Sequence, residues 1–235
     1  MATLKFAVAG ASGRMGRMLI ETVLNTSDAQ LVGALDIPGS PSLGQDPAAF
    51  LGKDTGIKIT ADLKEGLKDA DFLIDFTRPE GTLAHVAVAA ELGVKMIIGT
   101  TGFSDEQKAM LKKASDKIAI VFAPNMSVGV NATFKLLEVA AKILNQGYDI
   151  EIVEAHHKHK KDAPGGSALS LLQGITDNLD RKDKWVFTDL QNRPPMDNEI
   201  SISVTRAGHV TGIHEVAYTS PVDQISIRHE AYNRR

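Results

Sequence analysis

The chain has no cysteine in 235 residues. That excludes disulfide staples and thiolate chemistry. It has no apolar run near the ~20 residues of a membrane span. Leu4 to Gly10 is too short and too soon interrupted to act as a secretory signal. It has no excess of one charge either. The net charge is −3 and the pI about 6.2, so nothing points to a nucleic-acid or membrane partner. Internal repeats, low-complexity tracts and long charge blocks are also missing. What remains is a chain of 43% hydrophobic residues, enough to bury a real core in one large or two modest domains. The expectation is a soluble, cytoplasmic protein.

Titratable groups are unevenly spread. Three of the seven histidines fall together as His156, His157 and His159, interleaved with Lys158, Lys160 and Lys161. A packed core has no use for such a string. Pro164, Gly165, Gly166 and Ser167 follow, then the helical apolar pattern Ala168, Leu169, Leu171, Leu172 and Ile175. Histidine titrates near neutral pH. Lysine holds a carboxylate as a point charge. Free N–H groups at a helix start bind anions. Together these residues suit an anionic substrate that must be protonated.

Three blander readings compete. A metal site would need His156, His157 and His159 to act without cysteine and beside lysines that repel a cation, so no metal is expected. Nucleic-acid binding lacks aromatic neighbours and net positive charge. A solvated basic loop is the common fate of such runs, but it leaves the glycine turn and helix unexplained.

Along the chain, strands at Leu4–Ala9, Gln30–Leu35, Phe72–Phe76, Lys95–Ile98 and Ile118–Phe122 alternate with helices at Met15–Leu24, Asp62–Lys68, Gly81–Leu92 and Asp105–Ser115. That alternation predicts an α/β, mostly parallel sheet covered by helices. Val128–Leu144 reads as a long helix, Asp149–Glu154 as a strand and Ala168–Leu179 as a helix. Strands at Trp185–Asp189, Glu199–Arg206, His214–Thr219 and Gln224–His229 follow without intervening helices, predicting a mixed sheet. The expected domains are 1–126 and 127–235.

Gly10, Gly13 and Gly16 lie between the first strand and first helix, a Gly-x-x-Gly-x-x-Gly variant of the dinucleotide fingerprint. Asp36 stands twenty residues beyond Gly16, at the end of the second strand, where an acid bonds the ribose hydroxyls. Ile37 follows, offering no charge to a 2′-phosphate, so NADH is expected to serve at least as well as NADPH. Arg14 and Arg17 are the side chains able to overturn that. Gly99 to Gly102 and Ala123 to Met126 also end predicted parallel strands and suit the nicotinamide half. His209, His214 and His229 read as structural, as does Asp75; Arg78 and Arg193 read as surface-paired.

With these residues in view, the whole chain resembles the 4-hydroxy-tetrahydrodipicolinate reductases of the diaminopimelate–lysine pathway. The matching segments are Gly10 to Gly16, Asp75 to Glu80, Gly99 to Phe103, Ala123 to Asn131, Glu154 to Pro164, Arg206 to Gly208 and Arg228 to Arg234. The His-His-x-His-Lys-x-Asp-Ala-Pro string is the most specific of them. The resemblance implies a Rossmann-like dinucleotide domain followed by an α+β substrate and oligomerisation domain, and usually a homotetramer. It implies reduction of a cyclic dicarboxylate imine with NADH or NADPH. His156 and Lys160 match the catalytic pair. His157, Gly166 and Ser167 match substrate-binding residues. Gly10, Ala11, Ser12, Gly13, Arg14, Met15, Asp36, Gly99, Thr100, Thr101, Ala123, Pro124, Asn125 and Met126 match cofactor contacts.

Two departures carry expectations of their own. Gly165 stands where the family usually has serine, predicting weaker carboxylate binding and a lower KM on Gly165→Ser. The chain also ends about thirty residues before the family pattern does, predicting a missing C-terminal segment and reduced stability. Two other readings stay open: a non-catalytic dinucleotide-binding relative, and an NAD(P)-dependent reductase of another small imine or amino acid.

Overall fold

The computed structural model describes residues 3–180, 184–188, 193 and 196–233. The chain divides into two compact units, Met1–Ala123 and Pro124–Arg235.

In the first unit β1 (Leu4–Ala9), β2 (Ala29–Leu35), β3 (Phe72–Asp75), β4 (Lys95–Ile98) and β5 (Ile120–Phe122) form a five-stranded sheet of order β2-β1-β3-β4-β5. Every pairing is parallel. The connections are α1 (Arg14–Leu24), a 3₁₀ turn at Ala49–Leu51 with α2 (Leu63–Leu67), α3 (Pro79–Leu92) and α4 (Asp105–Ala114). Helices cover both faces, so the strands are apolar on both sides. Ala7, Ala9 and Leu73 belong to one buried cluster, Val8 and Ile74 to another. Strand order reverses between β1 and β3, and ligands of such sheets bind outside the carboxyl ends at that point.

The second unit holds α5 (Val128–Ile143), β6 (Asp149–His156), α6 (Gly166–Thr176), β7 (Lys184–Phe187), β8 (Glu199–Arg206), β9 (Gly212–Thr219) and β10 (Gln224–Ala231). Its sheet has the order β10-β9-β6-β8-β7, antiparallel from β10 to β6 and parallel from β6 to β7. Period-two alternation aims Ile150 and Ile152 of β6 to one side. Ile200 and Ile202 of β8, and Tyr218 and Val216 of β9, stand opposite them. These six pack with Leu137 and Ala141 of α5 and with Leu171 and Ile175 of α6.

The architecture matches the sequence reading, with instructive shifts at the ends. β6 runs two residues further than expected, because Ala155 and His156 still pair with β8. The string of titratable residues therefore begins on a strand rather than in a loop. α6 starts at Gly166, two residues early, since glycines carry no periodic signal. The predicted strand to Asp189 ends at Phe187; Asp189 itself lies outside the described residues.

The apolar rungs of the second sheet are expected to dominate that unit's stability. Ile152→Ala should cost about 2–5 kcal/mol, read as a lowered denaturation midpoint in urea. A change under about 0.5 kcal/mol would contradict the packing described.

Candidate functional site

In the first unit the glycine loop follows directly from β1. Gly10 has φ +66°, a conformation favouring glycine. A Cβ on Gly16 would run into the Gly10 backbone, so α1 packs against the loop only with glycine there. Gly13 is the N-cap of α1 and no described side chain caps it, which leaves the first-turn amides to a ligand. Asp36 folds back on the loop, accepting from the Ser12 amide at 3.2 Å and from the Ile37 amide at 2.8 Å. Ile37 is 72% exposed. The Arg17 guanidinium lies 5.5 Å from the centre of the Phe50 ring. A tight turn, a free helix start and an acid at the end of β2 fit a dinucleotide.

The loop after β4 divides its duties. A Cβ on Gly99 would collide with the Phe76 ring, so this glycine lets the ring close over the strand end. Thr100 is buried, and its hydroxyl accepts from the Thr77 amide and the Thr82 hydroxyl, both at 2.9 Å. Thr101 is exposed. Behind them Asp75 is fully buried and faces His85 Nδ1 at 2.7 Å while accepting from Thr77. Burial raises its pKa, but the bond and charge of His85 and the bonds from Thr77 outweigh that and hold it below its ordinary value. Asp75 thus braces the loops at the carboxyl ends of β3 and β4. Arg78 is the N-cap residue of α3.

In the second unit the core face of the sheet changes character over its last two rungs. Continuing the row of Ile150 and Ile152 come Glu154 and His156. Glu154 stands opposite His214 of β9, and His156 beside Arg206 at the end of β8. Glu154 is completely buried. Its Oε1 accepts from Arg206 Nη2 at 2.5 Å and its Oε2 from the Gly165 amide at 3.0 Å. His156 Nδ1 and His214 Nε2 each lie 3.9 Å from this carboxylate. Neither finds a hydrogen-bond partner among the described residues. The two rings meet edge to face with centres 5.1 Å apart. Gly212 leaves room for the His156 ring, since a Cβ there would lie 3.2 Å from His156 Nε2.

The loop after β6 brings Lys160 back over the same place, its Nζ donating to both oxygens of Asp162 at 2.8 and 2.9 Å. Arg206 Nη2 also donates to the Asp162 carbonyl. Gly165 is the N-cap of α6, again without a described side-chain cap, whereas α2, α4 and α5 are capped by Asp62, Ser104 and Ser127. Asn125 Nδ2 reaches Ser167 Oγ at 3.4 Å, and Pro124 and Met126 are exposed beside it. Ala123 closes the first unit. His157 is half-buried and His159 exposed.

Charge follows from this geometry. Burial pushes the pKa of His156 below its ordinary value, Glu154 opposes the shift, and Lys160 and Arg206 add to it. His214 is pushed down to about 4, by burial and then by His156, against the pull of Glu154. Burial raises the pKa of Asp162, but the bond and charge of Lys160, a backbone hydrogen bond and the charge of Arg206 together outweigh it and hold the pKa below its ordinary value. Glu154, His156 and His214 do offer three ligand atoms within 4.8 Å of one another. Two cations at the same place, Arg206 and Lys160, make this a hydrogen-bonding network rather than a cation site.

The sequence reading named His156, His157, Lys160, Gly166 and Ser167. It missed Glu154, Arg206 and Asp162 as members of the site, and treated His214 as structural. The signal was available: a glutamate occupies an inward position of β6 two residues after Ile152, and a buried carboxylate demands partners. Arg193, read as surface-paired, donates to both oxygens of the buried Glu199.

Two outcomes follow. A histidine whose folded pKa is depressed adds stability above its unfolded pKa, and that stability is lost as pH falls from 6.5 toward about 4. Thermal denaturation across that window should show a fall of about 3 kcal/mol, much reduced in His214→Asn. A flat profile in the unsubstituted protein would contradict the assignment. The geometry also gives a second expectation for position 165. A Cβ there would lie 2.8 Å from both Glu154 Oε2 and Lys160 Cε. Gly165→Ser should therefore displace Lys160 and lower kcat about tenfold; a lower KM at unchanged kcat would contradict this.

Residues 4–126 match the family model described as dihydrodipicolinate reductase, N-terminus, and residues 129–235 that for its C-terminus. The 4-hydroxy-tetrahydrodipicolinate reductase of Cupriavidus taiwanensis is 56% identical over 235 residues, covering 99% of this chain and 89% of that one. The same enzyme of Polynucleobacter necessarius is 55% identical, over 99% and 88%. Among solved structures, dipicolinate-bound dihydrodipicolinate reductase from Paenisporosarcina sp. TG-14 superimposes with a TM-score of 0.76 at 24% identity, over 99% of this chain and 89% of that one. The expectation of a missing C-terminal segment is not borne out, because the C-terminal family model is matched through residue 235. The glycine loop, the buried carboxylate network and these matches agree: the chain belongs to the dihydrodipicolinate reductase family.

Proposed function

We infer that the chain reduces 4-hydroxy-tetrahydrodipicolinate, as its dehydrated imine, to tetrahydrodipicolinate with NADH or NADPH, in the diaminopimelate–lysine pathway. The observation that carries this reading is the meeting, in one unit, of His156, Lys160 and the uncapped start of α6 around a buried carboxylate. The nicotinamide, when bound, supplies the hydride. In this reading Gly10 to Met15 and Asp36 hold the dinucleotide, with Gly99, Thr100 and Thr101 and residues Ala123 to Met126 beside it. Thr100 contributes through its backbone, its hydroxyl being already engaged.

Hydride addition to a conjugated imine leaves electron density that a proton must quench. His156 is the donor. Burial, and then the neighbouring cations, lower its pKa in the free protein against the pull of Glu154. A dicarboxylate held by the Gly166 and Ser167 amides and by His157 brings negative charge beside it and raises its proton affinity. Lys160 balances the charge on the substrate. A positioned acid of this kind is worth about 10²–10⁴-fold in rate.

The reading extends to a homotetramer in the cytoplasm. In support, Trp185 and Phe187 of β7 and Ile225 of β10 expose apolar surface on both edge strands. Among the described residues no helix is long and apolar enough to cross a membrane.

The test is oxidation of NADH and of NADPH with freshly generated substrate, with Lys160→Ala beside it. Turnover should occur and fall at least about 10²-fold in the variant. With Asp36 turned to the loop and no cation at Ile37, kcat/KM for NADH should equal or exceed that for NADPH. Cofactor binding without turnover would overturn the reductase reading, and a strong NADPH preference the cofactor argument.

A further inference from the structure

We propose that Glu154 is the positioning residue of the proton-delivery site: its carboxylate locks His156, the loop carrying Lys160 and the first turn of α6 into one arrangement. The proposal rests on the reading that His156 handles the proton. It extends that reading to a residue that itself touches neither substrate nor cofactor.

Glu154 has no solvent exposure. An ionised carboxylate in that setting persists only when paired and hydrogen-bonded. Its partners come from separate parts of the unit: Arg206 from the end of β8, Gly165 from the start of α6, and His214 from β9. Arg206 passes the constraint on, because the same Nη2 holds the Asp162 carbonyl at 2.5 Å. Asp162 in turn holds Lys160 Nζ. One carboxylate therefore holds the amide that opens the anion-binding turn directly, holds Lys160 through Arg206 and Asp162, and faces His156 Nδ1 at 3.9 Å. The contact with Gly165 is close as well: a Cβ there would lie 2.8 Å from Oε2.

The carboxylate also sets charge. Facing His156 are Glu154 on its own strand, Arg206 on β8, Lys160 and Asp162 in the loop, and His214 on β9, with His229 of β10 acting on His214. Two of these are fixed cations that disfavour an imidazolium, and burial disfavours it further. Glu154 is the first of the two anions that oppose them, ahead of Asp162. Without it His156 would shed its proton at still lower pH and reach the substrate uncharged. Arg206 acts on His156 with the opposite sign.

The experiment follows the His156 ring by NMR titration in the full chain, with kcat and KM measured alongside, for Glu154→Gln, Glu154→Asp and Arg206→Gln. In Glu154→Gln the His156 titration should move to lower pH and the basic limb of kcat should move with it. The rate should fall about 10²-fold with KM changed far less. Arg206→Gln should move the titration the other way. Glu154→Asp, which keeps the charge and shortens the arm, should fall between Glu154→Gln and the unsubstituted protein. Should Glu154→Gln fail to fold by circular dichroism, Glu154→Asp decides. A His156 titration and kcat there equal to those of the unsubstituted protein overturn the proposal. So does an unmoved titration in a folded Glu154→Gln, or losses of kcat and KM that merely track stability. Failure of the underlying reading looks different: undiminished kcat in His156→Gln, with the titration shifts of the Glu154 variants intact.

Discussion

A carboxylate buried at the end of an apolar strand face is the constraint on which the second unit turns. Burying an ion costs several kcal/mol unless its partners are in place, so Glu154 can sit where it does only if Arg206, the Gly165 amide and two histidines converge on it. The apolar rungs of β6, β8 and β9 make that convergence possible. They fix the registers that put Glu154 opposite His214 and His156 beside Arg206. In the proposed reading stability and chemistry share one sheet face, the first through its middle rungs and the second through its last two.

The first unit solves a different problem with different means. A dinucleotide needs backbone donors close to a phosphate and an acid near a ribose. In the proposed reading glycines at 10 and 16 allow that approach, and the fold-back of Asp36 joins the acid to the same loop. Asp75 is the counterpart of Glu154 there, a buried carboxylate satisfied by His85 and two threonines. In both units the strand ends are held by a buried acid, while the helix starts at Gly13 and Gly165 keep their amides uncapped.

Much of this was legible in the sequence. Strand–helix alternation in residues 4–122 announces the parallel sheet because burial on both faces leaves short, continuous apolar runs. The closely spaced strands after residue 184 announce the mixed one. The histidine–lysine string and the glycine turn marked the candidate site, since no core or ordinary surface calls for that mixture. What stayed hidden depended on partners distant in sequence. Arg206 lies 52 residues from Glu154, and nothing local tells an inward glutamate from an outward one until the register is known. His214 looked structural for the same reason. The pairing of Asp75 with His85 spans the turn between a strand and the next helix, beyond the reach of periodicity. At position 165 the family pattern draws attention to a missing hydroxyl, whereas the fold adds the closeness of Glu154 and Lys160.

In the proposed reading an anionic, planar dicarboxylate is held where β6 ends and α6 begins. Pyridine-2,6-dicarboxylate, a stable planar analogue of the substrate, tests it directly by NMR titration of the isotope-labelled chain in the presence of NADH. Saturable shifts are expected, concentrated in the Gly166 and Ser167 amides and the His156 and His157 rings, with the His156 titration moved to higher pH in the complex. Saturable binding that leaves these groups unmoved, or that perturbs only surface lysines elsewhere, would contradict it.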